Sequence, residues 1–148
     1  MRRFFALLAL GLALAAAPPP AAADGASELG LDAVDRRAIQ AVIAAQMEAF
    51  KKDDSETAFG FASPTIRTMF GSAANFMNMV MTGYHPVYRP KTVSFGEIVN
   101  VRGEPVQKVF VLGENGVDLV AAYVMQRQPD NAWKINGVYL FQDDTKGT

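Results

Sequence analysis

The single histidine of this 148-residue chain lies in Gly83-Tyr84-His85-Pro86-Val87-Tyr88-Arg89-Pro90, which crowds an imidazole, two phenols, a guanidinium and two prolines into eight positions. An unperturbed imidazole titrates near pH 6.5, so His85 is the residue best suited to move a proton at neutral pH. Acid–base chemistry needs a second group, and the carboxylate placed inside a strand-like stretch is Glu97. If the alternation of Val93 and Phe95 continues, Glu97 faces the apolar side, where burial raises its pKa and makes it a general base. An isomerase or dehydratase would use His85 and Glu97 in this way. Gly96 argues the other way, because a glycine within a strand often marks a bulge. One extra residue there turns Glu97 to water and brings Ile98 inward.

Binding is the second chemistry open to this segment. Tyr84, Tyr88 and Trp133 each join an apolar ring to a polar end, and Arg89 can grip a carboxylate or phosphate through two parallel hydrogen bonds. With His85, these residues define a candidate pocket mouth. The same residues also have a purely architectural reading. Pro86 and Pro90 fix their own φ and push His85 and Arg89 toward extended geometry, which makes a stiff joint into the first strand. Tyr84 then closes a helix stripe, Trp133 anchors the last strand, and Arg89 pairs with Asp53 or Asp54. A third possibility is copper(I), which soft thioethers suit: Met77, Met81 and His85 are successively four apart. Against it, a helix sets Met79 about 200° from Met77, so the three sulfurs of Met77, Met79 and Met81 do not converge. Methionine is also a common filler of irregular cores.

The elements that must position these groups follow from periodicity. Asp32 is an N-cap for a helix whose Ile39, Val42, Ile43, Met47 and Phe50 recur at steps of three and four. Lys51-Lys52 suit a helix C-terminus, and Asp53-Asp54-Ser55 end one helix and cap the next, so this charge cluster reads as a solvated turn. Ser63-Pro64 starts a further helix and Gly71-Ser72 stops and restarts it. Phe76, Val80 and Tyr84, with Met79 beside them, give the last helix an inward stripe. After Pro90 the period becomes two. Val93, Phe95, Val99 and Val101 share one parity, and Val109 and Val111 lie in a β-branched run. Gly113 to Gly116 form a tight turn, Val117 to Gln126 a long strand, Gln128 to Ala132 a second turn, and Trp133 to Phe141 a last strand. Helices followed by strands predict an α+β domain, with three helical segments in the concave face of a curved, four-stranded antiparallel sheet.

Composition narrows the function classes. Residues 1–23 read as a secretory signal: Arg2 and Arg3 precede the apolar run Phe4 to Ala17, and Ala21 to Ala23 suit a signal peptidase. That run is shorter than the roughly 20 apolar residues a membrane-crossing helix needs. Export to the periplasm or beyond is therefore expected, with residues 24–30 a flexible leader, 31–143 one domain and 144–148 a tail. The whole chain has net charge −1; without Arg2 and Arg3, 12 basic residues face 15 acidic ones, a net −3. A nucleic-acid binder would carry a basic surplus. Without any cysteine, disulfides, thiol catalysis and thiolate metal sites are excluded. The chain also lacks a phosphate-binding glycine loop, a nucleophile elbow and a zinc-binding His-Glu helix.

The segments IQAVIAAQMEAFKKDD, AFGFASP, NFMNMVMTGYHPVYRP and AWKINGVYL together resemble an uncharacterised family of small exported bacterial proteins, the domain of unknown function numbered 4864. The order of elements is similar to the cone-shaped nuclear transport factor and ketosteroid isomerase layout, which implies a sheet wrapped around helices with a pocket between them. The family brings no activity to transfer, so function must be argued from a site. The resulting expectation is a non-catalytic exported protein that uses no cofactor and binds a small apolar or amphipathic ligand or a partner protein. β-branched residues on both strand parities further suggest a homodimer through the sheet's other face.

Overall fold

Why the helices start and stop where they do is visible in their caps. In the computed structural model, which describes residues 25–144, helix α2 (Ala33–Lys51) begins in a reciprocal capping box. The Asp35 N–H donates to the Asp32 carboxylate at 2.9 Å, and the Asp32 N–H donates to Asp35 at 3.2 Å. Its buried stripe is Ile39, Ile43, Met47 and Phe50, with Gln46 among them. The helix is broken at Asp53, whose φ of +53° cannot continue it. Asp54 then caps α3 (Ser55–Gly60), accepting from the Thr57 N–H at 3.2 Å and its hydroxyl at 2.7 Å. Ser63 caps α4 (Pro64–Phe70) and Ser72 caps α5 (Ala73–Gly83). Between them Gly71, at φ +76°, supplies the left-handed residue that ends α4. A last turn, α6 (His85–Tyr88), leads into the sheet.

Two expectations about this half are corrected. Residues 25–28, read as part of a flexible leader, form the short helix α1 (Gly25–Glu28), with Ala26 fully buried. Gly25 makes this possible: a Cβ there would sit 2.3–2.5 Å from the backbone of Val99 and Asn100. His85, expected in extended geometry before Pro86, instead opens a helical turn in which the proline occupies a first-turn position. There its missing N–H leaves no intrahelical bond unmade. The segment read as residues 1–23 and residues 145–148 of the tail lie outside the described residues.

Strands β1 (Thr92–Val101), β2 (Glu104–Leu112), β3 (Asp118–Arg127) and β4 (Trp133–Gln142) pair antiparallel in the order of the sequence. The fold is α+β, with an open sheet. The register of β1 and β2 shifts between Phe95 and Ile98. This bulge divides the four residues read as one parity: Val93 and Phe95 pair with inward Val111 and Val109, whereas Val99 pairs with outward Val106. Ile98 takes the inward place and is buried. Gln107 repairs the interrupted ladder, its Nε2 donating to the Gly96 carbonyl at 2.8 Å and the Lys108 carbonyl at 2.9 Å.

The core lies between the helices and one face of the sheet, where Val109, Val111, Ala121, Tyr123, Met125 and Ile135 meet Ile39, Ile43, Phe50, Phe76 and Val80. Burial of each large apolar side chain stabilises by about 1.5–3 kcal/mol, which is how a chain without disulfides holds its shape. The opposite parity, including Phe110 and Phe141, faces away from the helices, and Phe141 and Tyr139 are exposed. No helix among the described residues is long and apolar enough to cross a membrane.

Candidate functional site

The joint and the pocket turn out to be different places. Arg89 reaches back to the C-terminal end of α2, donating from Nη1 to the Phe50 carbonyl at 2.6 Å and pairing with Asp53 at 3.1 Å. It therefore satisfies a terminal helix carbonyl and neutralises the carboxylate just beyond. Its guanidinium also lies 3.9 Å from the centre of the Tyr88 ring, and the Tyr88 hydroxyl donates to Asp53. Hydrogen bonding from Tyr88, which outweighs the opposing effect of burial and is reinforced by Arg89, holds the Asp53 carboxyl below its ordinary range. The same bond to Asp53 raises the Tyr88 phenol. The expected pairing of Arg89 with Asp53 or Asp54 is thus found with Asp53. His85 is exposed and sets its ring edge-on to Tyr88, with centroids 5.8 Å apart.

The other candidates disperse. Trp133 is buried at the far end of β4 under the Arg127 guanidinium, 4.7 Å from its ring, and Arg127 pairs with Asp35 at 2.5 Å. Of Tyr84, His85, Tyr88, Arg89 and Trp133, Tyr84 alone lines the larger cavity, and Trp133 lines a smaller one. Glu97 is turned outward by the bulge and pairs with Lys108 at 3.0 Å. His85 and Glu97 line neither cavity, so the structure does not bring the acid–base pair together. Met77 is buried while Met81 is exposed, and Met79 contributes to the larger cavity.

That larger cavity, of about 420 Å³, opens between α4, α5 and β4. Ile66, Met69 and Phe70 come from α4, Phe76, Met79 and Val80 from α5, and residues 135–139 from β4. Chain order alone does not bring these pieces together; a short parallel bridge does. The Ser63 N–H donates to the Ile135 carbonyl at 2.8 Å and the Ile135 N–H to the Phe61 carbonyl at 2.9 Å, which ties the α3–α4 connection to the edge of β4. Lys134 adds a bond to the Gly60 carbonyl at 2.7 Å. Met69 and Tyr139, both largely exposed, contribute to the wall, so part of it opens to solvent.

The wall is apolar and contains no charged side chain; its side-chain polar groups are two amides and three phenols. Gln46, fully enclosed, donates from Nε2 to the Ala58 carbonyl at 3.1 Å. Asn136 is oriented by Ser63, whose hydroxyl accepts from the Ile66 N–H at 3.3 Å and donates to Asn136 Oδ1 at 2.7 Å. Tyr123 stands on the inner face of β3, completely buried, and its hydroxyl has no hydrogen-bond partner among the described residues. Burial pushes the Tyr123 phenol well above the ordinary tyrosine range, so it stays protonated.

Gln46, Tyr123 and Asn136 were not among the residues singled out from sequence. Two of them carry a signal: Gln46 interrupts the apolar stripe between Ile43 and Phe50, and Tyr123 sits on the buried parity between Ala121 and Met125. Among the described residues no cluster of three or more His, Cys, Asp or Glu is placed to hold a metal ion. No curated protein and no solved structure matches the chain. The family model described as Domain of unknown function (DUF4864) covers residues 32–148, and the chain belongs to that family.

Proposed function

We propose that the protein is an exported, non-catalytic binder that holds a small apolar or amphipathic molecule in the cavity between α4, α5 and β4. The observation that carries this reading is the cavity itself, about 420 Å³ with walls of Ile, Phe, Met and Val side chains. Ligand sites are typically concave, mainly apolar and furnished with a few fixed polar groups, in volumes of about 300–1,000 Å³. The amide of Asn136, held by Ser63, is such a group. Proton-transfer chemistry finds little support, because no carboxylate, imidazole or amine lines the wall. Export rests on the N-terminal arginines, the apolar run that follows them and the small residues Ala21 to Ala23.

The test is binding of N-phenyl-1-naphthylamine, a neutral dye whose fluorescence rises in apolar surroundings. The expected result is saturable, one-to-one enhancement that Ile66→Trp and Met79→Trp abolish by filling the cavity, while His85→Ala leaves it unchanged. Undiminished binding by both folded tryptophan variants would overturn the proposal.

A further inference from the structure

We infer that the cavity selects a neutral molecule with an apolar body and one accepting oxygen, such as a ketone, ester or ether, and that this oxygen takes a hydrogen bond from Tyr123. The inference deepens the proposed binding function and rests on it. Its starting point is the mismatch between the Tyr123 hydroxyl and its surroundings. A phenol on the inner face of a central strand is shut off from water, yet no described residue accepts from it. Buried hydroxyls are nearly always paired, and an unpaired one needs a specific explanation. Here the same side chain forms part of the wall of a cavity large enough for a molecule of roughly a dozen non-hydrogen atoms.

The wall decides the charge of that molecule. No Lys, Arg, His, Asp or Glu lines it, so an ionised headgroup would lose its hydration without gaining a counter-charge. A carboxylate or ammonium amphiphile is therefore disfavoured, whereas a neutral oxygen loses little and gains a donor. The phenol is suited to the donor role because burial keeps it protonated. A trapped water would also satisfy the hydroxyl, but it would need two to four polar partners where the wall is mainly Phe, Ile, Met and Val.

The experiment compares three probes of similar shape in displacement of N-phenyl-1-naphthylamine: butylbenzene, butyrophenone, in which a carbonyl replaces one methylene, and 4-phenylbutyrate. Butyrophenone is expected to bind about tenfold more tightly than butylbenzene, and phenylbutyrate most weakly at neutral pH. Tyr123→Phe should erase the advantage of the ketone and leave butylbenzene unaffected. The infrared carbonyl band of bound butyrophenone should lie at lower frequency in the wild type than in Tyr123→Phe, a readout that a merely structural role would not move. Equal affinity for ketone and hydrocarbon, a ketone advantage that survives Tyr123→Phe, or tightest binding of the carboxylate would each overturn the inference while leaving the cavity a ligand site. If the dye and all three probes fail to bind, the proposed function falls and this inference with it.

Discussion

Removing the Tyr123 hydroxyl should make the ligand-free protein more stable, not less. Deleting a buried polar group normally costs stability because a partner is left unpaired, but no described residue is hydrogen-bonded to this one. What remains is the cost of having taken the hydroxyl out of water, about 1–3 kcal/mol. Against it stands the small hole left by one oxygen, roughly 10–15 Å³, which at about 24 cal/mol per Å³ costs about 0.3 kcal/mol. Tyr123→Phe should therefore stabilise by about 0.7–2.7 kcal/mol, and raise Tm by roughly 3–5 °C for each kcal/mol in a domain of this size. Urea denaturation followed by circular dichroism is the assay: the midpoint should rise with an unchanged slope, since the surface exposed on unfolding is the same. Ligand narrows the difference. At a butyrophenone concentration 100 times the wild-type Kd, wild type gains about 2.7 kcal/mol, whereas a variant binding tenfold more weakly gains about 1.4 kcal/mol. A ligand-free variant that is less stable than wild type would refute the reasoning, because it would mean that the hydroxyl has a partner to lose.

Ser63 links the fold to the cavity, so Ser63→Ala should cost about 2 kcal/mol by losing a helix cap and leaving the Asn136 carbonyl unpaired. The same variant should bind the dye more weakly than wild type; unchanged stability by urea titration would argue against the linkage. The α2 clamp gives a pH signature. Asp53 has a lowered folded-state pKa, so its contribution is present above the ordinary carboxylate value near 4 and disappears as pH falls through the lower folded value. Asp53→Asn should consequently lower Tm at neutral pH and reduce its further fall between about pH 4 and 2, measured by thermal melts across that range. Part of the acid limb should survive, because hydrogen bonds from Thr57 hold Asp54 low as well. A wild-type Tm indifferent to acid would contradict the clamp.

What could be read from sequence was whatever is decided locally. Asp32, Ser63 and Ser72 cap helices because a short polar side chain meets an N–H three residues ahead, a choice that needs no tertiary knowledge. The Arg89–Asp53 pair was legible for a related reason: it closes a joint that prolines and a helix end already define. The bulge was half legible. Gly96 signalled it, but the register that turns Glu97 outward is fixed by Gln107 on the neighbouring strand. The binding set scattered because residue type does not encode direction. Tyr88 and Arg89 have the chemistry of a pocket rim, yet the α6 turn aims them at α2. The cavity was not legible, since its walls come from segments about 70 residues apart, joined at Ser63 and Asn136.

The walls of that cavity differ in how firmly they are held. Its α2, α5 and β3 sides are built from buried side chains such as Phe50, Phe76 and Tyr123, so enlarging the space there would disrupt the main core. Helix α4 differs: it has seven residues, none of them buried, and its Ile66 and Phe70 are half-buried. Its anchors are the Ser63 cap at one end and the left-handed Gly71 at the other. Regions with few buried contacts open at lower free energy than the core. The opening of the cavity thus falls on its least costly wall, and a ligand that covers Ile66 and Phe70 stabilises the part of the fold with most to gain. A polar group fixed at Asn136 by Ser63, beside an adaptable apolar wall at α4, suits a ligand defined by where its oxygen sits rather than by the detailed shape of its hydrocarbon.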